Sequence, residues 1–418
     1  MIEILNFQFN LIGISITILL LTLLFFKKID LISILALSSI FVNIPIFNYK
    51  PWTFGFQIFY FFSLLLIIFS LIKFMNYLKN KKYLILTLLV SAFIIIVFIS
   101  LILAYKNNYF EFVIRLPKEP NYPYFGISEF SRFNITQFLY LIFYFLLFLS
   151  LTITKVDILK IFKFYLLGLN INLIFQILEA ILFFNKKPLF YFLNNLSFAN
   201  ETIQTIYLKD LNIYRFSGLI PSSSMLGIYL TIGLFLILFF EDIFKNQLLK
   251  ILQVILIILS SILSISSTFI LGSLLVLLVY ILSKKKYVLL PFVIFLLLLL
   301  DYSFDRNTID IRLQHILYSI VIFLRHPIFG VGYGTHFADF FSSLLSNTGI
   351  SGFISFFLIF GYLFLLSIYQ NKEHICNLMI ISLISLFLTG IIWNGINVNI
   401  LWIILGVWGR ELMKNKNA

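Results

Sequence analysis

The sequence predicts an all-α fold, a polytopic bundle of about 12 or 13 transmembrane helices in a single integral membrane domain. That domain covers residues 1–418, of which 61% are hydrophobic and 11% are charged. A soluble domain is about half apolar and about a quarter charged. The apolar residues also occur in runs of about 20, the length that crosses about 30 Å of hydrocarbon. A bilayer accommodates this much apolar surface, whereas a soluble fold of the same size could not bury it.

The apolar runs give the predicted helices in order. They lie near 5–26, 31–48, 53–72, 83–104, 135–153, 161–184, 216–240, 248–265, 267–283, 287–301, 349–369, 375–393 and 396–410. The first run is too long for the core of a signal peptide, so we expect it to be a retained helix. The last run is short, and 248–283 can be divided differently, which leaves the helix count at about 12 or 13.

The basic residues predict the orientation. The chain has 30 Lys and Arg against 17 Asp and Glu, a net charge of +13. A concentrated basic patch would favour nucleic acid, but here the charges are scattered through short loops between apolar runs. If the loop with Lys27 and Lys28 is cytoplasmic, the short basic loops fall on that side, as the positive-inside rule requires. We therefore expect no nucleic-acid partner, a cytoplasmic C-terminus and, with 13 spans, an external N-terminus.

Three long segments then lie outside the cytoplasm, at 105–134, 185–215 and 301–348. The third is the large loop between the helices near 287–301 and 349–369. Within it, 311–325 is predicted to be an amphipathic helix, because Ile311, His315, Tyr318 and Ile322 recur three or four residues apart. The cytoplasmic loops are too short to form a site of their own.

Glu179 is the clearest ionisable residue inside a predicted span. Such a residue is a functional candidate by default, although its place near the outer end also fits an interfacial carboxylate. An ion-coupled transporter would carry more charges near the midplane, so the scarcity of such charges weighs against transport.

Arg215 is followed by Pro221 and three serines, residues 222–224, at a predicted helix start. Serine after proline suits a helix cap, and backbone N–H groups at a helix start attract anions. A guanidinium beside them could bind a phosphate or diphosphate. The alternative is an arginine that anchors the helix at the membrane interface.

The segment 325–336 contains Gly330, Gly332 and Gly334, without the strand–turn–helix context of a dinucleotide-binding fingerprint. The glycines permit a tight backbone that other residues or a substrate can approach. A histidine in or near this segment could act as a general base. The candidates for this role, His315, His326 and His336, do not have zinc-site spacing, and the single cysteine, Cys376, lies within an apolar run, so no metal is expected.

Together, these residues resemble a known family. The run Arg215-Phe-Ser-Gly-Leu-Ile-Pro221 is similar to the Arg–Gly–Pro segment of bacterial O-antigen polymerases (Wzy type) and O-antigen ligases. Arg312, the glycines of 326–334 and the run from Asn347 to Phe353 resemble their large periplasmic loop and its exit helix. The resemblance covers residues 160–370 in pattern. It implies a GT-C-like fold.

Two departures bear on the activity. Where the family often has a His–Asn pair, this chain has Ala338-Asp339, and the nearest histidine is His336. Where many relatives have Ser–Arg, the turn 264–268 has no arginine. These changes fit a polymerase better than a ligase, since a ligase depends more on that histidine.

The resemblance implies a metal-independent glycosyltransferase of the bacterial inner membrane with a periplasmic active face and no cofactor. It would join undecaprenyl-diphosphate-linked oligosaccharides into O-antigen or a related surface polysaccharide, a step in lipopolysaccharide biosynthesis, among membrane lipids and with a chain-length regulator as partner. The implied catalytic residues are Arg215 and Arg312, which clasp the diphosphate, and His336 or Asp339 as the base. Substrate contacts are expected from Arg115, Arg132, Arg325, His326, Gly330, Gly332 and Gly334.

Two other functions remain open at this stage. A glycan ligase would use the same donor and a different acceptor. A lipid-linked-oligosaccharide flippase or secondary transporter would also be polytopic and basic, but transporters tend to carry pseudo-symmetric halves, and the sequence has no evident internal repeat.

Overall fold

The computed structural model describes most of the chain. The described residues are 2–4, 7–42, 44–49, 54–107, 112–115, 124–127, 130, 132–184, 206–208, 213–244, 246–285, 289, 293, 306–336, 339–390 and 398–414. The predicted span near 287–301 therefore lies almost wholly outside the described residues.

Thirteen α-helices occur in the described ranges. They are α1 (Leu11–Phe25), α2 (Leu31–Ser38), α3 (Ile58–Leu78), α4 (Lys81–Asn107), α5 (Arg132–Ile153), α6 (Ile158–Phe184), α7 (Ser223–Phe239), α8 (Gln247–Ser264), α9 (Ser267–Lys284), α10 (Arg306–Arg325), α11 (Phe340–Gln370), α12 (Glu373–Gly390) and α13 (Asn399–Met413). A 3₁₀ turn, Glu241–Ile243, follows α7.

Short strands accompany the helices. They are β1 (Ile2–Ile4), β2 (Phe7–Phe9), β3 (Pro45–Tyr49), β4 (Phe54–Gln57), β5 (Phe112–Arg115), β6 (Tyr124–Ile127), β7 (Ile206–Leu208) and β8 (Ile213–Arg215). The first four form an antiparallel sheet in chain order, and β5–β6 and β7–β8 form separate hairpins. These hairpins fall in two of the predicted external segments.

The predicted membrane character is confirmed. Among the described residues, eight helices (α3, α4, α5, α6, α8, α9, α11 and α12) are long and apolar enough to cross a bilayer, and Leu11–Phe25, Ser223–Phe239 and Leu313–Arg325 are shorter apolar helices. The faces of α8 are the reverse of those of a soluble helix, because Ile255 and Ile262 are exposed while Gln253 and Ser260 are buried. A helix with this pattern is stable in lipid, so the chain is an all-α, multi-pass membrane protein.

Several predicted spans are wrong in detail, and the helices of the runs 53–72 and 216–240 begin only at Ile58 and Ser223. The run 31–48 is not one helix, since α2 ends at Ser38 and the chain enters β3 at Pro45, whose ring disfavours helical backbone in the residue before it. The run 5–26 becomes a helix only after Asn10, whose side-chain oxygen accepts hydrogen bonds from the N–H groups of Ile12 and Gly13. Apolar content alone does not distinguish a spanning helix from a strand and turn beside one.

The chain packs as two compact units, each made of two stretches of sequence. Unit 1 comprises Met1–Leu66 and Val156–Asp305, and unit 2 comprises Ile67–Lys155 and Arg306–Ala418. The domain boundaries expected from the sequence stay a prediction.

In unit 1, α7 is the central helix, and nearly all of its residues are buried. It packs against α8 and α9, and the Tyr165 hydroxyl on α6 donates to the Tyr229 carbonyl of α7 at 2.7 Å. Tyr229 in turn donates its hydroxyl to the carbonyl of Ser39, just after α2, at 3.0 Å. These bonds link the helices of unit 1 into one core.

In unit 2, the central helix is α13, which packs against α5 and α12. Trp402 of α13 stacks on Tyr144 of α5 with ring centroids 5.4 Å apart, and the Tyr144 hydroxyl donates to Asn399 Oδ1 at 2.7 Å. A Cβ on Gly406 would lie 2.4 Å from Leu151 Cβ, so glycine allows these two helices to approach closely.

One end of unit 2 is basic. Here the turn between α3 and α4 contains Lys79 and precedes Lys81 and Lys82, and Lys372 lies between α11 and α12. Gln370 Nε2 donates to the Leu412 carbonyl at 2.8 Å, and the Tyr362 hydroxyl donates to the Lys82 carbonyl at 3.1 Å. These bonds gather the lysine-bearing turns at the same end of α4, α11 and α13.

Candidate functional site

The opposite end of unit 2 is closed by the glycine turn, residues 326–336 between α10 and α11. Gly330, Gly332 and Gly334 have φ of +66°, +107° and +75°, values that residues with a side chain rarely adopt. A Cβ on Gly330 would lie 2.3 Å from the carbonyl carbon of Asn347, and one on Gly332 would lie 2.1 Å from Ala104 Cβ. The predicted tight backbone is confirmed, and residues of α11 and α4 pack directly against it. Substrate contact by these glycines stays a prediction.

Asn347 of α11 holds the glycine turn in place. Its Oδ1 accepts from the N–H of His336 and its Nδ2 donates to the carbonyl of His336, both at 2.8 Å. Its own carbonyl accepts from Gly332 N–H at 3.0 Å and from Ser100 Oγ at 2.6 Å. Because Asn347 is buried, these bonds fix the turn to α11, and α11 to α4, without competition from water.

A second amide ties the glycine turn to α5. Asn134 Nδ2 donates to the carbonyl of Tyr333 and to Thr335 Oγ1, each at 2.9 Å. Both Asn134 and Thr335 are buried. The turn is therefore hydrogen-bonded to α5 and α11 and packs closely against Ala104 of α4, which makes it a preorganised part of unit 2.

Gly349 interrupts α11 where the helix packs against Ile328 of the glycine turn. Its backbone, at φ 62° and ψ −165°, is non-helical, and a Cβ there would lie 2.4 Å from the carbonyl carbon of Ile328. The helix resumes with Ile350, whose N–H donates to the carbonyl of Pro327 at 2.8 Å. This start of the long half of α11 is thus capped by the turn itself and does not offer that N–H to a ligand.

His336 is buried and 1% exposed. Its Nε2 lies 2.9 Å from Ser319 Oγ, and the same hydroxyl lies 2.8 Å from the carbonyl oxygen of His315. The tautomer of the imidazole decides which partner donates in the His336–Ser319 hydrogen bond. Burial, with the neighbouring His315 as a smaller cause, lowers the pKa of His336 to about 3. The imidazole is therefore neutral at physiological pH and a weak base.

The predicted face of α10 is partly wrong. His315 and Ile322 are buried as expected, but the third buried position in this part of the helix is Ser319, while Tyr318 is 39% exposed. A residue four positions after His315 lies closer to its face than one three positions after it. The side chain of Ile311 lies outside the described residues.

The other predicted site residues of unit 2 divide into two groups. Asp339 is buried at the N-terminus of α11, Arg325 is exposed at the end of α10, and His326 begins the glycine turn half-buried. Arg115, Arg132 and Arg312 lie within β5, α5 and α10, but their side chains are outside the described residues.

Unit 1 contains the arginine segment, residues 215–222. Arg215 ends β8, is half-buried, and pairs with Ile206 of β7. The predicted cap is confirmed, because Ser222 Oγ accepts from the N–H of Met225 at 3.2 Å at the start of α7. Arg215 thus precedes a capped N-terminus of a buried helix, an arrangement suited to an anion.

Polar side chains of α6 bind the backbone of the arginine segment. They form the α6 polar face, which consists of Asn172, Gln176 and Glu179. Glu179 is 3% exposed, and its Oε2 accepts from the N–H of Gly218 at 2.9 Å. Glu179 is therefore a buried hydrogen-bond acceptor, close to the end of the candidate span Ile158–Ile181.

Several of these residues were not predicted from the sequence. Asn347 was noted only as part of the family resemblance, and Ser319, Asn134, Asn172 and Gln176 were not singled out. The available signal was the spacing of Asn172, Gln176 and Glu179, which places three polar groups on one face of an otherwise apolar helix.

Among the residues that the structure describes, no group of three or more His, Cys, Asp or Glu side chains is arranged to hold a metal ion. In comparisons of the whole sequence with known proteins, no protein-family model matches the chain and no curated protein matches it significantly.

Proposed function

We propose that the protein is a polysaccharide polymerase that joins undecaprenyl-diphosphate-linked repeat units on the periplasmic side of a bacterial inner membrane, as its resemblance to the O-antigen polymerases implies. In this proposal it is a metal-independent glycosyltransferase with a GT-C-like fold. The observation that carries it is Arg215, a half-buried arginine at the end of β8 and seven residues before Ser222, which caps the start of α7. The planar fork of donors on a guanidinium is suited to a diphosphate.

The chemistry requires few protein groups. A hydroxyl oxygen of the acceptor unit attacks the anomeric carbon of the donor glycan, the bond from that carbon to the diphosphate oxygen breaks, and undecaprenyl diphosphate leaves as an anion. The hydroxyl proton passes to a base. Because the leaving group is already stable, the main contributions of the protein are positioning and stabilisation of the developing negative charge. Arg215 and Arg312 are proposed for the charge.

The base is proposed to be His336 or Asp339, in keeping with the resemblance. His336 bonds Ser319 through Nε2, and its low pKa makes it a weak proton acceptor at neutral pH. Asp339 is buried at the start of α11, after the same turn. Separate His336→Gln and Asp339→Asn variants distinguish them, because only loss of the true base should lower the rate about 100-fold or more at unchanged protein level.

The proposed orientation follows from unit 2. Its lysine-bearing turns lie at one end and the glycine turn at the other. If the basic end faces the cytoplasm, as the positive-inside rule favours, the glycine turn, Arg325 and His326 would face the periplasm, which supports the proposal.

The buried polar side chains of the spans favour an enzyme over a transporter. Gln176 donates to the carbonyls of Phe216 and Ser260, and Asn172 accepts from the N–H of Leu219. These side chains hold the backbone of the protein, whereas a transporter places polar groups around a central substrate site.

The test uses cells that lack the gene and carry the wild type, Arg215→Ala or Arg312→Ala. Wild type should give long surface polysaccharide, and each variant should leave single-unit material while its protein level is normal. Lys250→Ala is the matched control for Arg215, since it removes a half-buried positive charge elsewhere in unit 1. Polymer that accumulates on the lipid carrier would instead favour a ligase, and loss of all external material would favour a flippase. Normal polysaccharide from both arginine variants would refute the proposal.

A further inference from the structure

The α6 polar face lies within a membrane span. Asn172, Gln176 and Glu179 are spaced at i, i+4 and i+7, and their exposed fractions are 0%, 0% and 3%. The span containing them runs from Ile158 to Ile181. Burying polar side chains in a span costs free energy unless they form hydrogen bonds, so their hydrogen-bond partners indicate their role.

Each residue of the α6 polar face binds the backbone of the arginine segment. Asn172 Oδ1 accepts from the N–H of Leu219 at 2.7 Å, Gln176 Nε2 donates to the carbonyl of Phe216 at 2.8 Å, and Glu179 Oε2 accepts from the N–H of Gly218 at 2.9 Å. Side chains of one helix therefore satisfy backbone groups that neither a helix nor a sheet satisfies here.

The residue directly after Arg215 is held from two sides. Phe216 N–H donates to the carbonyl of Leu263 at the end of α8 at 3.0 Å, while its carbonyl accepts from Gln176. Two residues later, Gly218 has φ +65°, and a Cβ there would lie 2.8 Å from Asn172 Oδ1. The segment fits against α6 only with this backbone conformation and without a side chain at 218.

We infer that Asn172, Gln176 and Glu179 are positioning residues that fix the arginine segment, and with it Arg215, for binding the lipid diphosphate. This inference rests on the proposed function of Arg215. The three side chains do not need to touch the substrate, because their effect passes through the backbone of residues 216–219.

The same helix offers a matched control. Asn170 Nδ2 donates to Gln253 Oε1 at 3.0 Å, and Gln253 Nε2 donates to Asn170 Oδ1 at 2.8 Å. This pair also links α6 to α8 through amide groups, but it does not contact the arginine segment. Asn170→Ala and Gln253→Ala should therefore reproduce the loss of interhelical hydrogen bonds without the loss of positioning.

The first measurement is hydrogen exchange of the peptide covering residues 216–226 in the full-length protein in nanodiscs. Asn172→Ala and Glu179→Ala should speed exchange at Leu219 and Gly218 about tenfold or more, because each N–H loses its acceptor. Glu179→Gln keeps an acceptor oxygen and should retain most of the protection. The two control variants should leave this peptide unchanged, and the two separate positions, 172 and 179, keep the test valid if one variant fails to fold.

The second measurement is binding of undecaprenyl diphosphate by the same samples, with undecaprenol as the uncharged comparison. Arg215→Ala, Gln176→Ala and Glu179→Ala should weaken diphosphate binding about tenfold and leave undecaprenol binding unchanged, and Glu179→Gln should rescue most of it. The diphosphate affinity of Asn170→Ala should stay within about twofold of wild type, even if its thermal stability falls as much as that of the other alanine variants.

The outcomes separate the two proposals. Unchanged exchange in the Asn172→Ala and Glu179→Ala variants would overturn the positioning role. If Arg215→Ala weakens diphosphate binding but the α6 variants exchange faster and still bind diphosphate like wild type, the positioning role is also wrong. Losses in the Asn170 and Gln253 control variants equal to those in the α6 variants would likewise overturn it. If Arg215→Ala binds the diphosphate as tightly as wild type, the proposed function is wrong, and so is the positioning role that depends on it. The exchange data would still show whether α6 holds the arginine segment.

Discussion

Replacing Asn347 with alanine should loosen the His336 end of the glycine turn from α11. The substitution removes two bonds to His336, one from its N–H and one to its carbonyl, each 2.8 Å long. It leaves the bonds to the Asn347 carbonyl in place. A buried backbone group without a partner costs about 1–3 kcal/mol, so two such groups predict a loss of about 2–6 kcal/mol in the free energy of unfolding.

The assay is unfolding of the full-length protein in mixed micelles with a rising fraction of denaturing detergent. Ser346→Ala is the matched control, since Ser346 is also buried but its side-chain hydroxyl donates only to the carbonyls of Ser342 and Ser343 within its own helix. Its loss should be about 1 kcal/mol or less. A loss for Asn347→Ala no larger than that of the control would refute the idea that this amide holds the turn.

Three further predictions concern single positions. Gly349→Ala should lower the unfolding midpoint strongly, because its Cβ would meet the Ile328 carbonyl. Gly361→Ala, which has open space in the same helix, should leave the midpoint unchanged or raise it. The same midpoint for both variants would contradict this prediction. Burial lowers the pKa of His336 to about 3. Below about pH 6.5 the imidazole therefore takes up a proton in the unfolded chain but not in the folded protein. The free energy of unfolding should fall by about 1.4 kcal/mol per pH unit as the pH drops from about 6.5 towards 3. Unfolding at pH 7.5 and 5.5 should show this loss in wild type and not in His336→Gln, and equal losses would place the imidazole in water. Arg215→Lys keeps the charge but not the planar fork, so it should bind undecaprenyl diphosphate several-fold more weakly than wild type and more tightly than Arg215→Ala; binding as tight as wild type would show that a point charge is enough.

Long uninterrupted apolar runs predicted their helices well. The runs 83–104, 135–153 and 161–184 correspond to α4, α5 and α6 within a few residues. In these helices the apolar signal and the helical structure coincide, because a helix satisfies its own backbone in lipid. The run 31–48 failed because the same apolar residues fill a short helix, a turn and the strand β3.

The candidate site was predictable where the chemistry is local. Serine after Pro221 predicted the cap of α7, and the glycines of the turn predicted tight backbone, since both depend on neighbouring residues. The roles of Asn347 and Asn172 could not be read in the same way. Asn172 binds backbone more than forty residues away, and the Asn347 carbonyl accepts from Ser100. Such pairings arise from tertiary packing, which local patterns do not encode.

The most direct test of the central claim is elongation by the purified protein in proteoliposomes. The substrate would be lipid-linked glycan extracted from cells that lack the gene, and the readout would be glycan length together with released undecaprenyl diphosphate. A polymerase should lengthen the lipid-linked glycans and release one undecaprenyl diphosphate for each new linkage, and Arg215→Ala should do neither while Lys250→Ala should do both. Glycans that keep their single-unit length with wild type, or equal release with Arg215→Ala, would contradict the account.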